Sequence, residues 1–579
     1  MHKNQIGIIF LITLLTFGNA LLNGFVGDDL ELIVNNNFYK SWSNFSRIFT
    51  PSYISNSDSL MAGIEQDNAS GSVAYRPVLS ATYFFDYSLW QLNPFGYHLQ
   101  NLLLHLFNSW LVYFLIFLIA NKQSVALLSA LLFSVHPFKT EAVCSIGYRA
   151  DSLACLFLLI SFICYIQDKR GLVKKPWGLF LSLVFFFLGL FSKESVIIYP
   201  VLLLAYDFFV SKESVERLSY RRYLGFAAIA GFYLYFYIFV FSNSSLEHVG
   251  LMGGSLTTHI VTIFRIFAEY LITFFLPFTT RVLPPLYKPA IDVLWGYQTV
   301  LSLMIFGFYI YFLIKNIKER KIVGFFLLWF LLAFIPVANI VPIVNPMAYR
   351  FMYLPSIGLV AVIAIMMHQL YSQKIFLTYS NLKKILTTSL IALCVVITIP
   401  LNTSWKNPHM MALRMLKDNP TNPMGYFFVG VSYNQAGKYK EAYAFLAKAR
   451  ELGFHDPRIY YHLGLSTLGN PLVATEYFKT GIRFFSKYGP SYIALGRIYF
   501  LEGKSDLALP LLEKGSELSP LYSAYGYLIQ IYLSNKDQEQ AQNILKQAQR
   551  TIKNPNQLQS LAKLFTPNED KKFPIDLGI

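Results

Sequence analysis

Long apolar runs, separated by short polar segments, dominate the first four hundred residues of the chain. After an initial run, "IGIIFLITLLTFGNALL", further runs fall near 98–119, 124–138, 150–167, 177–192, 195–210, 222–241, 295–314, 322–343, 351–370 and 385–401. Each is long enough, or nearly so, to cross a bilayer as a helix. Lys3 precedes the first run as in a signal peptide, but the many runs that follow favour a retained span. The pattern changes near position 400, where "NTSWKNPHMMALRMLKDNPTNP" is polar and rich in Asn and Pro.

Beyond it the chain repeats. "YFFVGVSYNQAGKYKEAYAFLAKA", "YYHLGLSTLGNPLVATEYFKTGI", "YIALGRIYFLEGKSDLALPLLEKG" and "YLIQIYLSNKDQEQAQNILKQA" align with a period near 33 or 34. A small residue recurs at Gly430, Gly464 and Gly496, with Ile529 in the fourth copy, and the next core position is Tyr433, Thr467, Tyr499 and Tyr532. This is the tetratricopeptide helix-turn-helix pattern, with a shortened turn in the second copy. The expected architecture is therefore all-α: a polytopic membrane bundle of about eleven spans, followed by an α-solenoid. The expected division is 1–405 membrane domain, 406–420 linker, 421–555 repeats and 556–579 tail.

Composition agrees with the pattern. With 55% hydrophobic and 14% charged residues, the chain is too apolar for a soluble globule. Its net charge of +16 does not form one basic patch, so nucleic acid is not an expected partner. The basic residues instead cluster in "DKRGLVKKP", "SKESVERLSYRR", "KNIKERK" and "QKIFLTYSNLKK", which are expected to face the cytoplasm. The run 259–278, which carries Arg265 and Glu269, disturbs that alternation: as a full span it would put "KNIKERK" on the wrong side, so it is read as an interfacial or re-entrant helix on the external side, or part of a paired hairpin. The acids at 28–29 and the repeats then share the external side.

Four cysteines (Cys144, Cys155, Cys164 and Cys394) lie in or near apolar segments without CxxC spacing, so neither a disulfide framework nor a metal site is expected. No P-loop or GxGxxG motif indicates a nucleotide. What remains is ionisable residues at the ends of the spans. Asp28 and Asp29 follow the first run in "LLNGFVGDDLELI", and Arg76, His136, Glu141, Arg149, Asp151, Lys193, Glu194 and Arg350 gather near the same face. Charges at such depths pair or function. Cations of this kind hold phosphate oxygens, and a carboxylate accepts a proton from a hydroxyl. The set suits a phosphate-bearing lipid donor and a hydroxyl acceptor. Structural roles stay open for each: Lys193–Glu194 or Arg149–Asp151 as local neutralisation, His136 before Pro137 as a helix cap, and Tyr75-Arg76-Pro77 as an interfacial anchor.

The motifs "YRPV", "YHLQNLLLHL", "LLFSVHPFKTEAV", "GYRADSLACLFLLISF", "SKES" and "YRFMYLPSIG", with the trailing repeats, resemble the transmembrane and tetratricopeptide repeat-containing O-mannosyltransferases. The likeness extends to their bacterial relatives in the GT-C superfamily. It implies inverting transfer of mannose or another hexose from a polyprenyl- or dolichyl-phosphate donor to a Ser/Thr hydroxyl of an external protein. It further implies a catalytic acidic pair in the first external loop, which Asp28 and Asp29 match. Asp28 is read as the base, with Asp29 orienting it or the acceptor, and Arg76, Arg149, Lys193 and Arg350 as the cations on the donor phosphate. His136, Glu141, Asp151 and Glu194 complete the polar site. Such family members often have an acid where this chain has Tyr349. A divalent ion between the two acids is left open, and no further ligand set has suitable spacing. The expected location is a bacterial plasma membrane, or an endoplasmic reticulum membrane, with the site and repeats external or luminal. Two other readings stand beside this one: a lipid-linked sugar transporter or flippase, and a non-catalytic membrane scaffold working through its repeats.

Overall fold

The computed structural model describes residues 3–50, 75–173, 176–210, 220–240, 250–284, 296–319, 321–343, 345–373, 375–376, 379–552 and 555–565. Every regular element among the described residues is helical. The chain forms two compact units that part between Asn407 and Pro408.

In the first unit, seven helices have the length and apolar composition to cross a membrane: Lys3–Leu22, Pro94–Ala120, Arg149–Lys169, Arg222–Phe239, Leu256–Phe275, Tyr297–Lys318 and Asn381–Thr403. Four shorter apolar helices accompany them: Gln123–Val135, Trp177–Leu190, Ile322–Val337 and Ser356–Leu370. Proline sets several of the breaks. Pro137 lacks the N–H that would continue the helix, so His136 is extended and the chain turns. The run expected at 195–210 becomes a turn, Glu194–Ile198, and an eleven-residue helix, Tyr199–Phe209, with Pro200 in its first turn. The basic loop "SKESVERLSYRR" lies largely outside the described residues.

One difference bears on topology. The run read as interfacial or re-entrant is a single 20-residue helix, Leu256–Phe275, started by a Ser255 cap that accepts from the Thr258 N–H at 3.2 Å. Ile266, Phe267, Tyr270 and Phe274 bury one side, while Arg265 donates to Gln298. The alternation of basic loops discouraged a spanning assignment in the sequence; the two charges of the run, Arg265 and Glu269, fall outside the buried stripe. Length and composition now match a span.

The helix Pro94–Ala120 organises the interior. His98, Asn101, His105 and Asn108 recur three or four residues apart and form a buried polar stripe. Asn101 donates to the Ser145 carbonyl at 2.9 Å and Asn108 to the Ser152 carbonyl at 2.8 Å. His105 bonds the Tyr353 hydroxyl at 2.7 Å and the Ser134 carbonyl at 3.0 Å. The stripe thus satisfies backbone groups exposed where neighbouring helices break, which an apolar solvent cannot do.

The second unit is four helix pairs: Pro423–Gln435 with Tyr439–Glu451, Pro457–Ser466 with Pro471–Phe484, Gly489–Leu501 with Ser505–Leu518, and Tyr522–Ser534 with Gln538–Thr551. The repeat glycines are required by close packing. A Cβ on Gly496 would lie 2.7 Å from Leu512 Cγ, and one on Gly464 would lie 2.4 Å from Phe478. Two flanking regions differ from expectation. The stretch assigned to a linker holds the helix Pro408–Asp418, whose His409 bonds Ser432 at 2.6 Å and meets the Tyr433 ring. The start of the expected tail is helical, Pro555–Ala562, and Leu561 and Leu564 enter the core of the fourth repeat.

Candidate active site

Asp28 and Asp29 are adjacent but have opposite environments. Asp29 is fully buried. One of its carboxylate oxygens accepts from the Gly147 N–H at 2.6 Å and the Ser145 hydroxyl at 3.2 Å, and the other accepts from the Val26 N–H at 3.2 Å. Burial pushes this carboxyl up to about 6, against the lowering effect of the backbone donors. Asp29 therefore fastens the first loop to the turn between Cys144 and Arg149. Asp28 is exposed and faces the Tyr148 hydroxyl. Burial and the Asp28 charge raise the Tyr148 phenol well above its ordinary value, so it stays protonated and donates to Asp28.

From Tyr148 the site continues as a row. The Arg350 guanidinium lies 3.8 Å from the Tyr148 ring centroid. Glu141 holds Arg350 twice: one oxygen pairs with the guanidinium, and the other accepts the Arg350 backbone N–H at 2.9 Å. Phe351 comes next, with Arg350 and Lys193 at 5.0 and 5.1 Å from its ring centroid. Lys193 pairs with Asp151 at 2.6 Å. The neighbouring Glu194 receives a two-pronged bond from Arg76, at 2.7 and 3.1 Å. Arg76 and Lys193 hold the Glu194 carboxyl down to about 2, against the raising effect of partial desolvation. Burial lowers Lys193, and Asp151 opposes that effect.

Two expected site residues do not join the row. Arg149 is fully buried and consumed: Nε donates to Asn101 at 2.7 Å, Nη1 to Thr82 at 3.0 Å and to Asp86, and Nη2 to the Tyr97 carbonyl at 3.1 Å. It cannot reach a donor phosphate from there. It ties the helix Pro77–Trp90 to the helix Pro94–Ala120. His136 is a cap and an aromatic partner, not a polar site group. Its Nδ1 accepts from the Phe138 N–H at 3.2 Å, and the ring stacks on Phe274 with centroids 4.5 Å apart. Tyr349 is buried and stacks on Phe138.

The sequence reading missed Tyr148, Phe351, Asp86 and Lys139. Lys139 is fully buried, donating to the Tyr353 carbonyl at 3.0 Å and to Ser356, with its ammonium 4.0 Å from the Phe133 ring centroid. Its position three residues after His136 in "HPFK" was the available signal, since a lysine inside a motif at a helix break is rarely solvated. Among the described residues, no three His, Cys, Asp or Glu side chains converge as a metal cluster.

No family model matches the chain. It is similar to protein O-mannosyl-transferase TMTC1 of Mus musculus, 31% identical over 219 residues, which are 35% of this chain and 22% of that protein. TMTC1 of Homo sapiens is 33% identical over 215 residues, 35% of this chain and 24% of that one. Protein O-mannosyl-transferase F38B6.6 of Caenorhabditis elegans is 25% identical over 448 residues, 75% of this chain and 61% of the relative. The matches thus span less than a quarter of the first two relatives. Among solved structures, the tetratricopeptide protein YrrB covers 27% of this chain at 21% identity and a TM-score of 0.23. The family likeness carried by the motifs is found again in these named relatives.

Proposed function

We propose that the chain is an integral-membrane glycosyltransferase that moves a hexose, mannose by likeness, from a polyprenyl- or dolichyl-phosphate donor to a Ser/Thr hydroxyl of an external protein. The observation that carries this reading is the contrast at positions 28 and 29. Asp29 is spent on three donors, while Asp28 stands exposed at the end of a row of cations. Asp28 takes the acceptor hydroxyl proton as the oxygen attacks the anomeric carbon from the face opposite the phosphate. The bond from that carbon to the phosphate oxygen breaks, configuration inverts, and the lipid phosphate leaves with the electron pair. Arg350 receives the developing charge first, because Glu141 engages one nitrogen of its guanidinium and Tyr148 covers only a face. Lys193 and Arg76 extend the positive row for the rest of the headgroup. Glu141, Asp151 and Glu194 keep these cations ordered before the donor arrives.

The acid pair supplies one exposed carboxylate, bonded by the Tyr148 hydroxyl, and this reading routes no step through a metal ion. The repeats bind the acceptor protein, and the external side is assigned from the basic loops. A C-terminal tag is then external and one inserted near Lys318 cytoplasmic. Both tags on one side would reverse this assignment. The decisive test is mass spectrometry of external proteins from cells with and without the gene. The expected result is loss of hexose from Ser/Thr peptides. An unchanged glycopeptide profile would overturn the transferase reading.

A further inference from the structure

The second repeat departs from its neighbours in two ways that act together. Its first helix, Pro457–Ser466, has 10 residues, where the corresponding helices of repeats one, three and four have 13. The tyrosine that fills the groove in the other copies is replaced by Thr467, whose hydroxyl turns back to the Leu463 carbonyl at 2.9 Å. Beside this shortened helix lies a cavity of about 370 Å³. Its walls come from repeats two to four and are mainly apolar, with Leu465, Phe478, Ile493 and Tyr527 among them.

Arg497 enters the cavity wall with its Nε buried and without a hydrogen-bond partner, while its guanidinium lies against the Tyr527 hydroxyl. Outside the cavity lining, Gln530 stands one repeat later in the same register, immediately after the small-residue position as Arg497 is, and its side-chain N–H₂ also lacks a partner. The equivalent residues of repeats one and two are Val431 and Leu465. Along the stack this register thus changes from apolar to donor-bearing. Glu502, the acid on the cavity wall, is engaged by Lys504 at 2.7 Å. Unpaired buried donors favour an acceptor-rich ligand, and a charged acceptor most of all.

We propose that this groove docks an extended segment of the acceptor protein, with a bulky apolar side chain beside Leu465 and Ile493 and a carboxylate on Arg497. It rests on the reading that the repeats bind the acceptor, and it specifies the chemistry of that acceptor: an apolar residue followed by an acidic one. Area alone does not set such an affinity, but filling a pre-formed apolar pocket and pairing a desolvated arginine both contribute to it.

The test uses the full chain in lipid nanodiscs and two pools of synthetic decapeptides, random except for a fixed Phe followed by Asp-Asp in one pool and Asn-Asn in the other. The Asp pool is expected to bind roughly ten-fold tighter or more, the scale of a charge-assisted hydrogen bond. Arg497→Met should erase the difference between pools, and Ala494→Trp, which fills the cavity, should weaken both. Thermal unfolding of each variant verifies that the repeats remain folded. Equal binding of the two pools, no binding of either, or a preference that survives Arg497→Met overturns the proposal. Charge-selective binding in a chain that transfers no sugar keeps this site and removes the transferase reading. Transfer without charge selectivity does the reverse.

Discussion

The two units treat charge in opposite ways. In the membrane unit three ion pairs are buried and bridge distant segments: Arg149–Asp86 is sealed from solvent, Lys193–Asp151 nearly so, and Arg350–Glu141 largely. In the repeat unit the pairs Lys448–Glu451, Lys479–Glu476 and Lys514–Glu517 are exposed neighbours three residues apart on one helix. The physical reason is the solvent. A bilayer cannot hydrate a charge, so a charge kept near it must be paired or used. Water hydrates the solenoid surface, where pairing is nearly optional. Function is therefore read differently in each. In the membrane unit the informative residue is Asp28, an exposed acid with no ion pair among the described residues. In the solenoid it is the break in periodicity around Thr467, Arg497 and Gln530.

The comparison is tested first where the effect is largest. Asp28→Asn keeps size but cannot accept the acceptor's proton. Turnover per folded molecule should fall by about 10²–10⁴, with donor affinity near normal. Wild-type turnover would end the assignment of Asp28 as base. Next comes Asp86→Asn, which leaves the Arg149 charge buried and half-paired. Its expected cost is about 3–5 kcal/mol, seen as loss of folded protein in detergent together with activity in proportion. Unchanged stability would mean that this pair is not the structural tie the geometry describes.

The partners in these pairs show where sequence reading stops. The apolar runs and the repeats were legible because both are periodic, and the paired acids were legible because they break an apolar context. The pairing was not. Adjacent residues had offered Lys193–Glu194 and Arg149–Asp151, yet the partners lie 42, 63, 118 and 209 residues apart. Adjacent side chains diverge from one backbone, whereas helices packed side by side bring distant residues face to face. Arg149 looked like a phosphate ligand because its partner Asp86 sits inside "YFFDYSLW", where the acid reads as part of an interfacial segment. His136 was open to a capping role in the sequence, and the Phe138 N–H bond selects it. Tyr148 gave no signal, because a tyrosine at a span end is ordinary.

A third experiment uses pH to separate the two acids. Asp29 titrates at about 6 in the folded chain, above the roughly 3.9 of an unfolded Asp. As pH rises, the unfolded chain loses this proton first. The contribution of Asp29 to stability is thus fully present below about pH 4 and is lost as pH rises through 6, on the order of 2–3 kcal/mol. Difference infrared spectra should show a carboxylic C=O band titrating near that pH and absent in Asp29→Asn. A band already lost by pH 5 would place Asp29 among ordinary solvated carboxylates. Arg350→Gln comes fourth. Removing the charge should weaken polyprenyl-phosphate binding about ten-fold or more, measured by isothermal titration in nanodiscs. Equal affinity would leave Arg350 as only a clamp for Glu141.

The smallest expected effect is the sharpest check on the contrast between units. Lys514 and Glu517 lie 3.0 Å apart on the third repeat's second helix, with 53% and 67% of their side chains exposed. Their attraction acts through water, is screened by salt, and is opposed by the entropy of fixing two long side chains. Lys514→Ala should therefore change stability by no more than about 0.5 kcal/mol, and raising salt should shrink even that. The double variant with Glu517→Ala measures the coupling directly. A coupling as large as that expected for Arg149 and Asp86 would show that exposure does not set the worth of a pair here. The rule used to single out Asp28, that charge near the bilayer is bound while charge on the solenoid is free, would then lose its footing.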